Sequence, residues 1–254
     1  MNISKKNIAV IILAAGLGKR MKSSDAKVLN LINGTPMITY VVEQAVQIAE
    51  QNVILVIGHQ AEKVKKSVAE QYNVIYAFQK EQLGTGHAVL CALPSVPASA
   101  KEVVILCGDV PLLAQNTLRK LIRAHIDNAC ALTVLGVEAP DPKGYGRLVF
   151  DEHNQLNGIV EEADATNEQK KITTVNAGIY CINKEFLLNS ISEIKSENAQ
   201  KEFYLTDMIG IAYAEKRKVK VVIADDHEEV IGINTLDELK VVESILLNKL
   251  ASDA

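Results

Sequence analysis

Residues 8–21 read IAVIILAAGLGKRM, and the change of character at Ala14 decides the fold. Ile8 to Leu13 is an unbroken apolar run rich in Ile and Val, the composition of a strand buried on both faces of a parallel sheet. The run is too short for a membrane span, and although Lys5 and Lys6 precede it, no convincing cleavage site follows. Beyond Leu13 the side chains shrink. Ala14, Ala15, Gly16 and Gly18 leave room for backbone N–H groups to approach phosphate oxygens, and Arg20 adds a forked positive charge. Two familiar phosphate loops are excluded by spacing. A dinucleotide fingerprint needs glycine where Met21 stands, and a Walker loop needs Ser or Thr where Arg20 stands. Taken alone, the glycine pair fits a plain tight turn equally well. Lys27, in AKVL, is placed so that its amine can return to the same phosphates, although by itself it reads more readily as a solvated lysine.

Outward from this loop, short Val- and Ile-rich runs alternate with segments of helical period, which predicts βα units and a mainly parallel α/β sheet. Strands are expected at 8–13, 52–57, 73–77 and 102–107, with helices at 37–50, 61–70, 86–93 and 115–125. After Ala129 the runs at 131–137, 147–150, 156–161 and 175–182 are separated by turn residues, which suggests an antiparallel extension. A helix at 203–216, a strand at 218–224 and a last helix at 236–250 complete the pattern. With no repeat, low-complexity stretch or dividing linker, one catalytic unit over 1–234 is expected, with the helix of 235–254 packed on it or extending from it.

At 254 residues and 48% hydrophobic, the chain can bury a large core without staples. Lys and Arg number 27 against 31 Asp and Glu, with no basic tail, so nucleic acid is not expected as a partner and neither is a membrane. Cys91, Cys107, Cys130 and Cys181 form no C-x-x-C and sit among apolar residues, as expected of reduced cysteines in a cytoplasmic protein. The five histidines form no H-x-x-x-H pair and no G-x-S-x-G is present, which excludes the usual zinc and serine hydrolase patterns.

Three further groups carry candidate chemistry. Gln79, Gln82, Gly84 and Thr85 follow a strand and open a helix, where amides can read a base edge while Gly84 permits close approach; a capped turn with solvated glutamines is the plainer alternative. Asp109 closes a strand at the edge where open α/β sheets hold ligands, and Gly108 leaves room beside it. A lone carboxylate there suits Mg²⁺, which takes one or two protein oxygens, and Asn234 is a candidate second ligand. Asp109 also fits a cap of the turn before Pro111, and Asn234 the N-cap of the last helix.

The string LAAGLGKRM followed by Lys27 resembles the signature of the sugar-nucleotide pyrophosphorylases. The ordered segments QLGTGHA (82–88), GDVPLL (108–113), DPKGYGR (141–147), GIVEEADAT (158–166), VNAGIY (175–180), EFYLTD (202–207) and GIN (232–234) are similar to the uridyltransferase domain of the bifunctional N-acetylglucosamine-1-phosphate uridyltransferases. The resemblance spans almost the whole chain and implies a Rossmann-like nucleotidyltransferase fold, a mainly parallel mixed sheet flanked by helices. It implies transfer of UMP from UTP to N-acetylglucosamine 1-phosphate. Arg20, Lys27 and Asp109 would then be catalytic and Asp109 and Asn234 would hold Mg²⁺. Leu13 to Gly16, Gly18, Arg20, Lys27, Gln79, Gln82, Gly84 and Thr85 would bind the nucleotide. Cys107, Gly108, Gly144, Glu161, Asn176 and Asn234 would hold the sugar, with Tyr204, Thr206 and Asp207 behind them.

Two residues depart from the family pattern: Lys19 replaces a small hydroxyl residue in the loop, and Cys107 stands where tyrosine is common. The bifunctional relatives continue into a left-handed β-helix with acetyltransferase activity; this chain ends after one helix, so that activity and the trimerisation it supports are not expected of it. Another nucleotide or sugar 1-phosphate, or a silent binding module with the same pocket, are the competing expectations.

Overall fold

The computed structural model describes residues 5–21 and 25–252. In chain order the elements are β1 (Ile8–Leu13), β2 (Leu31–Ile32), β3 (Thr35–Pro36), α1 (Met37–Ala49), β4 (Val53–Ile57), α2 (Ala61–Ala69), β5 (Ile75–Phe78), α3 (Thr85–Ala92), β6 (Glu102–Cys107) and α4 (Gln115–Asp127). Then follow β7 (Leu132–Glu138), β8 (Arg147–Phe150), β9 (Leu156–Val160), β10 (Thr174–Asn183), α5 (Lys184–Ser190), α6 (Asp207–Ala214), β11 (Val219–Ile223) and α7 (Leu236–Ser252).

Nine strands form one sheet in the order β11-β7-β10-β6-β1-β4-β5, with β8 and β9 branching from β10. The neighbours β6-β1-β4-β5 are parallel, whereas β10 runs antiparallel to both β6 and β7. The antiparallel extension is thus β10 with the β8–β9 hairpin, while β11 at the edge pairs parallel with β7.

Both faces of the central strands are covered, which is why they read as continuous apolar runs. Along β1, Ile8, Val10 and Ile12 pack into the core layer that includes α1 and α4, and Ala9 and Ile11 into the opposite layer with α3 and α6. The period of two distributes each run between two cores. Each fully buried Ile or Leu stabilises the fold by about 1.5–3 kcal/mol relative to exposure.

Three differences from the sequence pattern have local causes. The pair β2–β3 is a hairpin closed by Asn33-Gly34, both at positive φ (48° and 81°), the backbone a two-residue turn requires. The helix α5 is short and starts with Asn183, whose side chain accepts from Phe186 N–H. The helix expected from Phe203 begins only at Asp207, because Phe203 is drawn into extended pairing: its N–H donates to Leu83 O (2.8 Å) and its carbonyl accepts from Gly86 N–H (2.7 Å).

The chain leaves β1 for β4 on one side and later returns to β6 on the other. The crevice beyond the carboxyl ends of β1 and β6 is therefore the switch point where open α/β sheets place ligands.

Candidate active site

At that switch point lies a cleft of about 530 Å³. Its wall includes Leu13, Ala14, Ala15, Gly16, Gly18, Arg20 and Lys27 from the loop after β1, and Cys107 and Asp109 from the end of β6. Gln79, Gln82, Gly84 and Thr85 contribute from the start of α3, and Asn234 from the segment before α7. The structure thus gathers onto one wall residues more than two hundred positions apart.

A network of charges sits at the centre. Lys27 Nζ donates to an Asp109 carboxylate oxygen and, at 2.9 Å, to Asn234 Oδ1, which also accepts from Arg20 Nη2 at 2.9 Å. Asn234 is held by donating to Gly232 O (3.2 Å). The N-cap of α7 is Thr235, not Asn234: Thr235 N–H donates to Glu238 Oε2 (2.8 Å) and Thr235 Oγ1 accepts from Glu238 N–H (3.2 Å), a reciprocal capping box. Asn234 is thereby free to turn its amide into the cleft.

Gly18 explains the approach of Lys27. It has φ +59°, and a Cβ there would lie 2.6 Å from Lys27 Cβ, whereas nothing lies within 4 Å of a Cβ at Gly16. Lys19 begins a short helical turn, Lys19–Met21.

Asp109 and Asn234 present two hard oxygens bridged by the Lys27 ammonium, so a cation already occupies the place between them. That donor set fits Mg²⁺, which takes few protein oxygens and leaves its other positions to phosphate and water. Among the described residues there is no group of three or more His, Cys, Asp or Glu that could hold a metal.

Around the start of α3 the glycines and amides have partners that the sequence does not show. A Cβ on Gly84 (φ +113°) would lie 2.6 Å from Phe203 O, so the close approach there is made by the backbone of 202–205. Thr85 Oγ1 accepts from Leu205 N–H at 2.9 Å. Gln82 Nε2 donates to Gln79 O at 3.2 Å. Gly58 closes the same corner, where a Cβ would press on Gln79 O and Ala15 Cβ.

The proposed sugar residues occupy a second neighbourhood. Gly108 is packed between strands, its N–H donating to Leu13 O at 2.9 Å. The Cys107 thiol donates to Gly178 O at 3.3 Å; burial, then the Asp109 carboxylate, pushes it up to about 12 and keeps it neutral. Strand β10 bulges between Asn176 and Tyr180, where Asn176 Oδ1 accepts from Gly178 N–H (2.9 Å) and Asn176 Nδ2 donates to the Tyr180 hydroxyl (2.7 Å). Glu161 accepts from Thr206 Oγ1 at 3.2 Å, and burial, reinforced by Asp164 and Asp207, raises its carboxyl above the ordinary range. Gly144, at φ +87° on an exposed turn, donates its N–H to Glu162 Oε2 (3.2 Å). Buried Arg147 pairs with that same oxygen at 2.7 Å and donates to the carbonyls of Tyr145 and Lys170, tying the Gly144 turn to the end of β9.

Gly108, Gly144, Glu161 and Asn176 therefore do not line this cleft, whereas Gln200 and Glu202 do. Glu202 opens the EFYLTD segment and Gln200 lies two positions before it, which is their mark in the sequence. Among the described residues no helix is long and apolar enough to cross a membrane.

The sequence profile of the MobA-like NTP transferase domain matches residues 10–172. A protein named bifunctional protein GlmU from Geotalea uraniireducens (strain Rf4) is 42% identical over 244 residues, 96% of this chain and 53% of its own length. The protein of the same name from Trichlorobacter lovleyi is 45% identical over 226 residues, 89% of this chain and 49% of its own. That from Desulfotalea psychrophila is 38% identical over 245 residues, 96% and 72%. The chain spans about half the length of the first two of these relatives. The crystal structure of HddC from Yersinia pseudotuberculosis complexed with GMP-PN is similar in fold, with a TM-score of 0.66 at 23% identity, covering 94% of this chain and 99% of that one.

Proposed function

From a chain that belongs to the family of MobA-like NTP transferase domains, and is therefore a nucleotidyltransferase, we propose the transfer of UMP from UTP to N-acetylglucosamine 1-phosphate with release of pyrophosphate. The observation that carries this reading is the convergence of Arg20, Lys27, Asp109 and Asn234 on the glycine loop. The name GlmU borne by relatives at about 40% identity, and the residue pattern shared with the uridyltransferases, support the choice of substrates.

In this proposal residues 1–234 form the catalytic unit and α7 buttresses Asn234. The triphosphate lies along the loop from Leu13 to Gly18, and the base lies against Gln79, Gln82, Gly84 and Thr85. An oxygen of the sugar phosphate attacks the α-phosphorus in line, and the bond to the β-phosphate oxygen breaks as pyrophosphate departs. The attacking oxygen is already anionic, so no general base is needed. Catalysis then rests on positioning and on neutralising charge. Arg20 and Lys27 supply that charge to the phosphates, Lys27 exchanging its contact with Asp109 for phosphate oxygens. Asp109 and Asn234 would hold Mg²⁺, which when bound screens phosphate charge and orients the reacting groups. Glu161, Asn176 and the Gly144 turn orient the sugar.

Cys107 favours one second reading, a different sugar 1-phosphate, because a thiol replaces the larger phenol at the sugar side. Coupled pyrophosphate release decides between them: UTP with N-acetylglucosamine 1-phosphate or glucose 1-phosphate, each with and without Mg²⁺. Preference for the acetylated sugar and dependence on Mg²⁺ are expected. Release with neither sugar would sink the proposal, and preference for glucose 1-phosphate would establish the second reading.

A further inference from the structure

Gln79 is the most deeply buried of the amides around the cleft, 3% exposed, and its orientation is dictated by a chain of hydrogen bonds leading away from the site. Its Nε2 donates to Gly84 O at 3.1 Å. A carbonyl only accepts, so the NH₂ end of the amide must face Gly84. The second N–H of the same nitrogen is aimed at His87 Nδ1, also at 3.1 Å. That contact is a hydrogen bond only if Nδ1 carries no proton, which places the proton of the neutral ring on Nε2. There Cys91 Sγ, one turn further along α3, accepts at 3.7 Å. Burial raises the Cys91 thiol, so this sulfur remains a neutral acceptor.

The opposite amide orientation would set Oε1 against Gly84 O, two acceptors with no proton between them. The chain Cys91–His87–Gln79–Gly84 therefore admits one arrangement. In it both Gln79 N–H groups are used, and no protein donor bonds Oε1 among the described residues. Gln79 lines the cleft, and its Oε1 is not among the buried polar atoms without partners.

We infer that His87 is a positioning residue for nucleotide selection: beside Gly84 O, which sets the amide orientation, it takes the second N–H of Gln79 and so holds the amide with only Oε1 toward the cleft, where the site accepts a ring N–H such as N3–H of uracil and disfavours the unprotonated N3 of cytosine. This rests on the uridylyl reading above. A flipped amide would reverse the preference by offering N–H groups to N3. His87 itself touches no substrate and acts only through Gln79.

The test compares kcat/KM for UTP and CTP, with one sugar 1-phosphate, in the wild type, His87→Leu, His87→Asn and Gln79→Ala. In His87→Leu the acceptor is gone, and the UTP:CTP ratio should fall about tenfold, the scale of one hydrogen bond, with the change on KM for UTP rather than on kcat. His87→Asn returns an acceptor oxygen near the position of Nδ1 and should restore most of the ratio. An unchanged ratio in His87→Leu, or no restoration by His87→Asn, overturns the positioning role. Should Gln79→Ala lose the ratio while His87→Leu keeps it, base reading by Gln79 stands and only the positioning role fails. If the wild type shows no preference for UTP, or if Gln79→Ala leaves it intact, both fail. A ¹⁵N spectrum of wild-type His87 provides a check that needs no variant: Nδ1 should resonate as an unprotonated nitrogen, and a protonated Nδ1 overturns the inference.

Discussion

The two walls that we propose for the nucleotide and for the sugar are built in different ways. On the first, the residues stand in the loop after β1, at the end of β6, around the start of α3 and just before α7, gathered at the switch in strand order at β1. On the sugar side, Gly144, Glu161 and Asn176 lie on turns and a bulged strand, held by side-chain bonds such as Arg147–Glu162, Thr206–Glu161 and Asn176–Tyr180. The first wall is tied to the sheet by backbone. The second depends on a few side-chain contacts. Nucleotide handling should therefore fail when backbone or charge is disturbed at the loop, and sugar handling when a remote side-chain tie is cut.

The largest effect is expected at the charge centre. Lys27→Ala should reduce kcat by about 10²–10³, the scale seen when one stabilising charge or donor is removed from a transition state. Steady-state kinetics would contradict this if the loss fell only on KM. Next comes Gly18→Ala, which strains φ +59° and pushes a Cβ against Lys27; a displacement of about 1 Å there can cost about 10²-fold in turnover. Gly16→Ala should leave the melting temperature unmoved, since nothing lies within 4 Å of its added Cβ. Equal melting losses in the two variants would remove the distinction between them.

On the sugar wall the expected effects are smaller and selective. Arg147→Met should lower stability by about 1–3 kcal/mol in urea titration and raise KM for the sugar phosphate while sparing that for UTP. The Arg147 guanidinium, then the Gly144 N–H, hold Glu162 below the ordinary carboxylate value of 4.5. The stabilisation from this tie is thus complete above that value and is lost as pH falls through the lower folded one. Wild type should accordingly exceed Glu162→Gln in stability near neutrality, and the gap should close on acidification. A gap independent of pH would show that the tie is not ionic. The smallest effect is expected at Thr235→Ala, about 1 kcal/mol from loss of the cap, with a rise in KM for UTP if Asn234 shifts with it.

The same contrast explains what the sequence could show. The unbroken apolar runs of β1, β4 and β6 announced central strands because both faces are buried, and the shrinkage of side chains after Leu13 marked the loop. Arg147 carried no such mark: a buried guanidinium between two turns depends on Glu162 and Lys170, fifteen and more positions away. The delayed start of α6 was equally hidden, because Phe203 has helical surroundings in sequence and is recruited by Leu83 and Gly86 from a distance. The role of Gly84 shows the limit most sharply. Its need for glycine was legible, but whether a ligand or the chain itself occupies the space was not, and Phe203 occupies it.

Asn234 joins Arg20 and Lys27 across 214 and 207 positions of chain. Synthesis runs from the N-terminus, and a domain folds as a unit. Among the described residues all eleven strands precede Asn234, so a nascent chain contains the sequence of every one of them before this contact can form. Assembly of the charge centre is consequently a late event in the life of each molecule, and onset of activity would report completed synthesis through α7 more faithfully than any measure of strand content.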